Sequence, residues 1–492
     1  MAITRRQFIK RTGLATAGSL FVPRLLGNGW VRDAFAALED NNRYFVVIFL
    51  DGGNDGLNTV IPAANGSGTL RDDYNDARGN INITPAELTG SLIGTDPGTG
   101  AQLGIHPGFD VPAGFFDNGA GAGGLKALYD LGKVAVIQGC GYPEYSLSHD
   151  ESRTIWQAGL ALGSLGGTGW VGRHLASQYN GSQIPAVNIS DSVVGEFRQT
   201  GTSVLAVRDL DGFEFPFDGD YPGDIGDPLL DIGKKAWAFR QLNLSGIAGA
   251  QPSAIYIGNT GNATLESAAA YQSLSDLYNN DPARAPFEQL YTDVGRSLAR
   301  DLREVARVIN GVEQGVTNVN ARFFQVSNGG YDTHSDQGGA EQNGQHFGLH
   351  AELGAALKVF YDDLAQMGVI NRVCVLVWSE FSRRIPQNDN GTDHGSQGPM
   401  FVIGGSVNGG VYGNHPNINE LALDNEGNTE YTQDANPFRS TDFRDVYGTV
   451  LKHWVNLPQG TVQGLLPLDN SIEALSDPAH YWRSANFDLG FV

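Results

Sequence analysis

Six residues able to bind cations or move protons stand just after, or just before, apolar runs: Asp51, Asp332, His334, Glu380, Asp393 and His394. Asp51 closes "YFVVIFLD", Asp332 and His334 lie in "NGGYDTHSDQ" behind "ARFFQV", and Glu380 follows "RVCVLVWS". Asp393 and His394 end the polar stretch "SEFSRRIPQNDNGTDH", shortly before the apolar "PMFVIGG". Carboxylate oxygens together with imidazole nitrogens suit Zn²⁺, Mn²⁺ and similar divalent ions. Each residue alone has a plainer use, because Asp and Asn make turns after strands and a single His commonly hydrogen-bonds within a loop. Their chemistry as a set depends on the elements that carry them.

Continuous apolar runs that stop at Gly or Asp read as buried parallel strands, and this fits Tyr44 to Asp51, Val134 to Gly139, the run ending at Val326, and Val373 to Trp378. Helices are expected at "GGLKALYD" and "HDESRTIWQAG". The clearest helix spans Gln342 to Met367, where Leu353, Leu357, Phe360, Leu364 and Met367 recur on one face and Gly368 ends the pattern. His346 and His350 continue that stripe, which assigns them to packing ahead of metal binding. Alternating strands and helices make an α/β protein, and in such folds ligands gather beyond the carboxyl ends of the strands. The six residues above all belong to such ends or to the loops that return to them.

Composition narrows the function. The chain of 492 residues is 41% hydrophobic and 17% charged, which suits one large globular domain or two smaller ones. Its formal net charge of -22 repels nucleic acid and anionic membranes, so no nucleic-acid partner is expected. Cys140 and Cys374 sit in apolar runs with no Cys-x-x-Cys or Cys-His spacing, so they read as buried packing residues. At the N-terminus "TRRQFIK" precedes the short apolar run "GLATAGSLFV" and the small-x-small "AFA" at residues 34–36. These parts, in this order, make a twin-arginine export signal over residues 1–36, which implies the twin-arginine machinery as a partner and a periplasmic or extracellular destination. The apolar run is too short to span a bilayer, so no stable membrane span is expected. The domain then covers 37–492, with a loop-rich insertion at about 181–284, where "DLDGFEFPFDGDYPGDIGDPLLD" offers carboxylates for Ca²⁺ but no EF-hand pattern.

The motifs "FLDGGNDGLNTVIP", "SLSHDESRTIWQAG", "GGYDTHSDQ" and "SEFSRR" with "TDHG" resemble those of the twin-arginine-exported bacterial proteins of the DUF1501 family, within the alkaline phosphatase and sulfatase superfamily. The resemblance runs from about Tyr44 to Leu466. It implies a three-layer sandwich with a central, mostly parallel sheet and a long insertion or cap. It also implies one metal site from Asp332, His334 and His394, and a second from Asp51 with an Asp-His pair, a pair that reads Glu380-Phe381 here. Phe381 cannot ligate a metal; on another alignment Asp393-His394 is the displaced pair. The superfamily places its nucleophile near the start of a helix, which points to Ser148, assisted by His149. Arg383, with Arg384, is placed to neutralise an anionic ester.

Two functions are therefore expected. One is an exported hydrolase of phosphate or sulfate esters, small or polymeric, that depends on a divalent ion (Zn, Mn, Mg or Ca). The other is a noncatalytic exported binding or structural protein that keeps the fold and a single cation.

Overall fold

The computed structural model describes residues 42–143, 145–160, 167–176, 184–199, 202–213, 231–249, 251–419, 436–437, 439–467 and 488–492. The export signal expected over residues 1–36 lies outside them. Among the described residues no helix is long and apolar enough to cross a membrane.

The chain divides into two compact units, so the single span expected over 37–492 is described in two parts. The larger comprises residues 45–164, 289–302 and 326–492, and the smaller takes residues 165–288 and 303–325 with the segment that ends at Tyr44. In chain order the strands are β1 (Tyr44–Asp51), β2 (Val60–Pro62), β3 (Leu92–Thr95), β4 (Gln102–Ile105), β5 (Val134–Gly141), β6 (Ala186–Asn188) and β7 (Val204–Ala206). They continue as β8 (Phe323–Gly329), β9 (Val373–Ser379), β10 (Ser382–Arg383), β11 (His394–Gly395), β12 (Gly398–Ile403), β13 (Gly410–Tyr412) and β14 (Thr441–Asp442).

The α/β expectation holds, with a large, mostly parallel central sheet. In the larger unit the sheet order is β13-β5-β12-β9-β1-β8, and β14 also pairs with β5. Only Asp51 of β1 and Ser379 of β9 escape full burial in their strands, as continuous apolar runs covered on both faces require. β12 runs against both β5 and β9. In the smaller unit β6 lies parallel to β7 and to Phe323, Phe324 and Gln325 of β8.

The span 181–284, read from the sequence as loop-rich, contains the helices Asp231–Ile247 and Pro252–Asn279. The Ala-rich run "NATLESAAAYQSLSDLY" favours helix over the Gly and Asn around it. Most of the carboxylate-rich stretch proposed for Ca²⁺ lies outside the described residues. Cys140 and Cys374 are both buried thiols, as their settings imply.

Two packing features of the larger unit bear on the chemistry. The helix His149–Ala158 is held to β9 by Trp156, whose ring stacks on Trp378 at 5.3 Å and 3° and on Phe443 at 4.5 Å. Such aromatic pairs add about 0.5–1.5 kcal/mol each beyond the area they bury. The second feature is the helix Gln345–Gln366, close to the expected 342–367, whose His346 and His350 are fully buried beside His106. They do pack. His106 Nδ1 accepts the Gly108 N–H at 3.0 Å, and its Nε2 donates to the Gly339 carbonyl at 3.0 Å, a pattern only the neutral ring can make. His350 Nε2 meets the Thr59 hydroxyl at 3.1 Å and its ring stacks on Phe109, while His346 Nε2 meets Asn54 Oδ1 at 3.2 Å.

Burial lowers the pKa of all three imidazoles, that of His346 to about 4. The unfolded chain therefore binds more protons than the native one below about pH 6.5, and stability is lost as pH falls from there through the folded pKa values. Asp55 has linkage of the same sign, acting at lower pH. Burial opposes its ionisation, but the Arg78 charge outweighs this and lowers its pKa, so its contribution disappears only in stronger acid. Urea titrations between pH 6.5 and 5 should show a stability slope steeper in wild type than in His350→Phe, by a difference approaching about 1.4 kcal/mol per pH unit. Equal slopes would mean that His350 is not held neutral.

Candidate metal centre

The side chains that converge come from three places in the larger unit: the start of the helix His149–Ala158, the loop after β8, and the β10-β11 ribbon. That ribbon is only two residues deep and sets Arg383 opposite His394. It is the device that brings the polar loop 384–393 back to the end of β9.

Asp332 is the centre of the group. Its Oδ1 lies 3.2 Å from His334 Nε2, 3.3 Å from His394 Nε2 and 2.8 Å from Arg383 Nη2, and its Oδ2 lies 3.6 Å from His149 Nε2. One ligand atom each from His149, Asp332 and His394 falls within 4.8 Å of the others. His334 Nε2 adds a further nitrogen 2.9 Å from His394 Nε2.

The outer contacts decide which nitrogen of each ring faces inward. His149 Nδ1 lies 2.7 Å from Glu380 Oε1, His334 Nδ1 lies 3.0 Å from Asp393 Oδ1, and His394 Nδ1 lies 2.8 Å from the Leu147 carbonyl. A carboxylate or a carbonyl can only accept, so each Nδ1 carries a hydrogen, and in the neutral ring Nε2 keeps its lone pair. Metal-binding histidines are oriented in just this way. Two Nε2 lone pairs 2.9 Å apart, beside one carboxylate, repel unless a cation or a proton lies between them. The residues therefore fit a divalent ion held by nitrogen and oxygen, of the Zn²⁺ or Mn²⁺ type.

Protonation follows the same contacts. The hydrogen bond that His149 donates to Glu380 raises the His149 pKa against the effect of burial, and burial lowers that of His394. Burial pushes the Asp332 carboxyl up, but the Arg383 bond and charge, then His394 and His334, outweigh it and bring it below the usual range. Asp393 is lowered in the same manner by His334 and Asn388, against the effect of burial.

The other expected site residues fall elsewhere. Glu380 is wholly buried: its Oε1 accepts from Gly52 N at 2.9 Å as well as from His149, and the Ser379 hydroxyl lies 3.1 Å from Oε2. Asp51, half exposed, lies 3.6 Å from Arg153, and burial with the nearby Glu380 charge raises its pKa. Among the described residues, these two are not part of a ligand cluster. Phe381 packs against two imidazoles, with ring centroids 4.8 Å from His149 and 4.6 Å from His394. Ser148 is the exposed N-cap of its helix and makes no capping bond through its side chain.

Arg383 is not presented to a substrate. It is wholly buried and donates from Nε to Gly53 O at 2.7 Å, from Nη1 to Thr392 O at 3.0 Å, and from Nη2 to Tyr331 O at 2.9 Å, to Gly52 O and to Asp332. The accessible cation is Arg153, one-third exposed and paired with Asp150 and Asp51. Sequence reading passed over it, although it lies four residues after His149 and so on the same helix face.

Glycine is required where the strands end. Gly52 has φ +124°, and a Cβ there would stand 2.3 Å from Asp332 N; Gly53 has φ +78°, and a Cβ there would enter the Phe381 ring. The loop after β1 can thus lie directly on the backbone that carries Asp332.

Residues 312–455 match the family model DUF1501, described as a protein of unknown function. The match includes Asp332, His334, Glu380, Asp393 and His394, and it supports the family read from the motifs. It stops short of His149. No curated protein matches the chain. The family description carries no activity, so the chemistry has to be argued from the side chains.

Replacing Arg383 by Met would leave buried carbonyls of three loops and the Asp332 charge without their donor. We expect a loss of about 3–5 kcal/mol in urea unfolding, with retained divalent ion falling in the same protein. Stability within 1 kcal/mol of wild type, a threshold of roughly the error of such measurements, would contradict this role.

Proposed function

We propose that the protein is an exported, metal-dependent hydrolase of phosphate or sulfate esters, with an alkaline phosphatase-like arrangement of its larger unit. The observation that carries this reading is the set of three imidazoles whose Nδ1 hydrogens are bound outward and whose Nε2 atoms face Asp332. The Arg5-Arg6 pair and the short apolar run after it support export to the periplasm or beyond.

His149, Asp332 and His394 would hold the ion, with His334 beside them. A divalent ion held there would stabilise charge growing on the ester oxygens and would lower the pKa of a water, toward ~7 in the case of zinc. The protein supplies the rest. The N-terminus of the helix His149–Ala158 favours an anion, and Arg153 on the same helix can exchange its carboxylate partners for an ester oxygen. Asp393 keeps the His334 ring turned, as the Leu147 carbonyl does for His394.

A second reading, a noncatalytic protein that retains one cation, is favoured by Phe381 packing against two imidazoles and by His149, the base expected for the exposed Ser148, which instead bonds Glu380 and faces Asp332. The mature protein loaded with Zn²⁺ or Mn²⁺ should turn over members of a phosphatase, phosphodiesterase and sulfatase panel. Asp332→Ala and His394→Ala should lose both the bound ion and the turnover. Turnover kept in Ser148→Ala would assign the attack to water instead of the serine. Hydrolysis unchanged in both ligand variants removes this centre from the chemistry, and a tightly held ion without turnover on the whole panel selects the binding reading.

A further inference from the structure

The buried carboxylate of Glu380 touches the candidate centre only through His149. The distances show why. Oε1 takes hydrogens from His149 Nδ1 at 2.7 Å and from Gly52 N at 2.9 Å, and the side chain has no solvent exposure. The backbone carbonyl of the same residue accepts the hydroxyl of Ser152, which in turn accepts from Tyr142 at 2.8 Å. Ser152 and His149 lie on one face of the helix His149–Ala158, so Glu380 grips that helix at two points, once by its backbone and once by its side chain. The Trp156 stack on Trp378 fixes the same helix one turn further on.

A ligand carboxylate needs a free lone pair directed at the ion, and Oε1 spends its capacity on two N–H groups instead. The arrangement is that of an outer carboxylate that orients a ligating imidazole. We propose that Glu380 is a positioning residue: it holds the hydrogen of His149 on Nδ1 and turns Nε2 toward Asp332 and His394, making His149 the third protein ligand of a divalent ion. This rests on the metal reading above, and it assigns Glu380 a different place from the ligand that its position after β9 suggests.

The test uses the full mature chain. Imidazole ¹⁵N NMR of metal-free wild type should show His149 as a single tautomer with the hydrogen on Nδ1. In Glu380→Gln, folded as judged by circular dichroism, both tautomers should appear, and Zn²⁺ affinity measured against a chromophoric chelator should fall about 10–100-fold. Ser152→Ala, which leaves the carboxylate in place, should keep the wild-type tautomer. The proposal is overturned if Glu380→Gln keeps both tautomer and affinity, or if it loses affinity with the tautomer unchanged, since Glu380 would then be a ligand itself. A hydrogen on Nε2 in metal-free wild type overturns it even if Glu380→Gln does not fold. Wild type that takes up no Zn²⁺ while showing the Nδ1 tautomer overturns the ligand role by removing the metal reading, and the unchanged tautomer identifies that as the cause.

Discussion

The guanidinium of Arg383 organises this part of the protein. It is buried, and its donors end on carbonyls from the loop after β1, the loop after β8 and the loop 384–393, and on Asp332 itself. These loops lie far apart in sequence, with 331 residues between Arg383 and Gly52 and 51 between Arg383 and Asp332. A planar donor set of fixed shape can hold three loops in register because each N–H points in its own direction. The carboxylate it touches is thereby kept ionised, with Oδ1 shared between the guanidinium and the imidazoles of His334 and His394. Two glycines at the end of β1 permit the close approach that this bonding needs.

Around that frame the structure separates two kinds of polar residue that look alike in a sequence. Asp332 and the three Nε2 atoms face a shared space, whereas Glu380, Asp393 and the Leu147 carbonyl stand behind them and set their direction. The first group would be wasted without the second, because a free imidazole carries its hydrogen on either nitrogen and rotates about its bonds. Phe381 limits that rotation for His149 and His394 by lying against both rings.

Much of the frame is legible in the sequence because apolar runs that halt at Gly or Asp have few other uses. β1, β5, β8 and β9, the helix at Gln345–Gln366 and the helix beginning at His149 all lie where such patterns place them. Asp332 and His334 follow β8, whereas His394 opens β11. Burial is what the pattern could not carry. Glu380 and Arg383 follow a strand just as an exposed ligand or anion binder would, and only the packing of loops from elsewhere in the chain removes them from solvent. The sequence offers His149, at a helix start, as the aid to Ser148, but does not show that it faces Asp332, because its partners lie more than 180 residues further on, as with the 231 positions to Glu380. The helices Asp231–Ile247 and Pro252–Asn279 were masked by the Gly, Asn and Asp residues around them.

The contact between Leu147 and His394 joins positions 247 residues apart. A ribosome emitting this chain from its N-terminus releases the imidazole at 149 long before the one at 394, so the donor set cannot be complete until most of the polypeptide has emerged and the β10-β11 ribbon has closed. Any cation held by these residues would then be taken up late in maturation, in whichever compartment the finished fold first meets the ion.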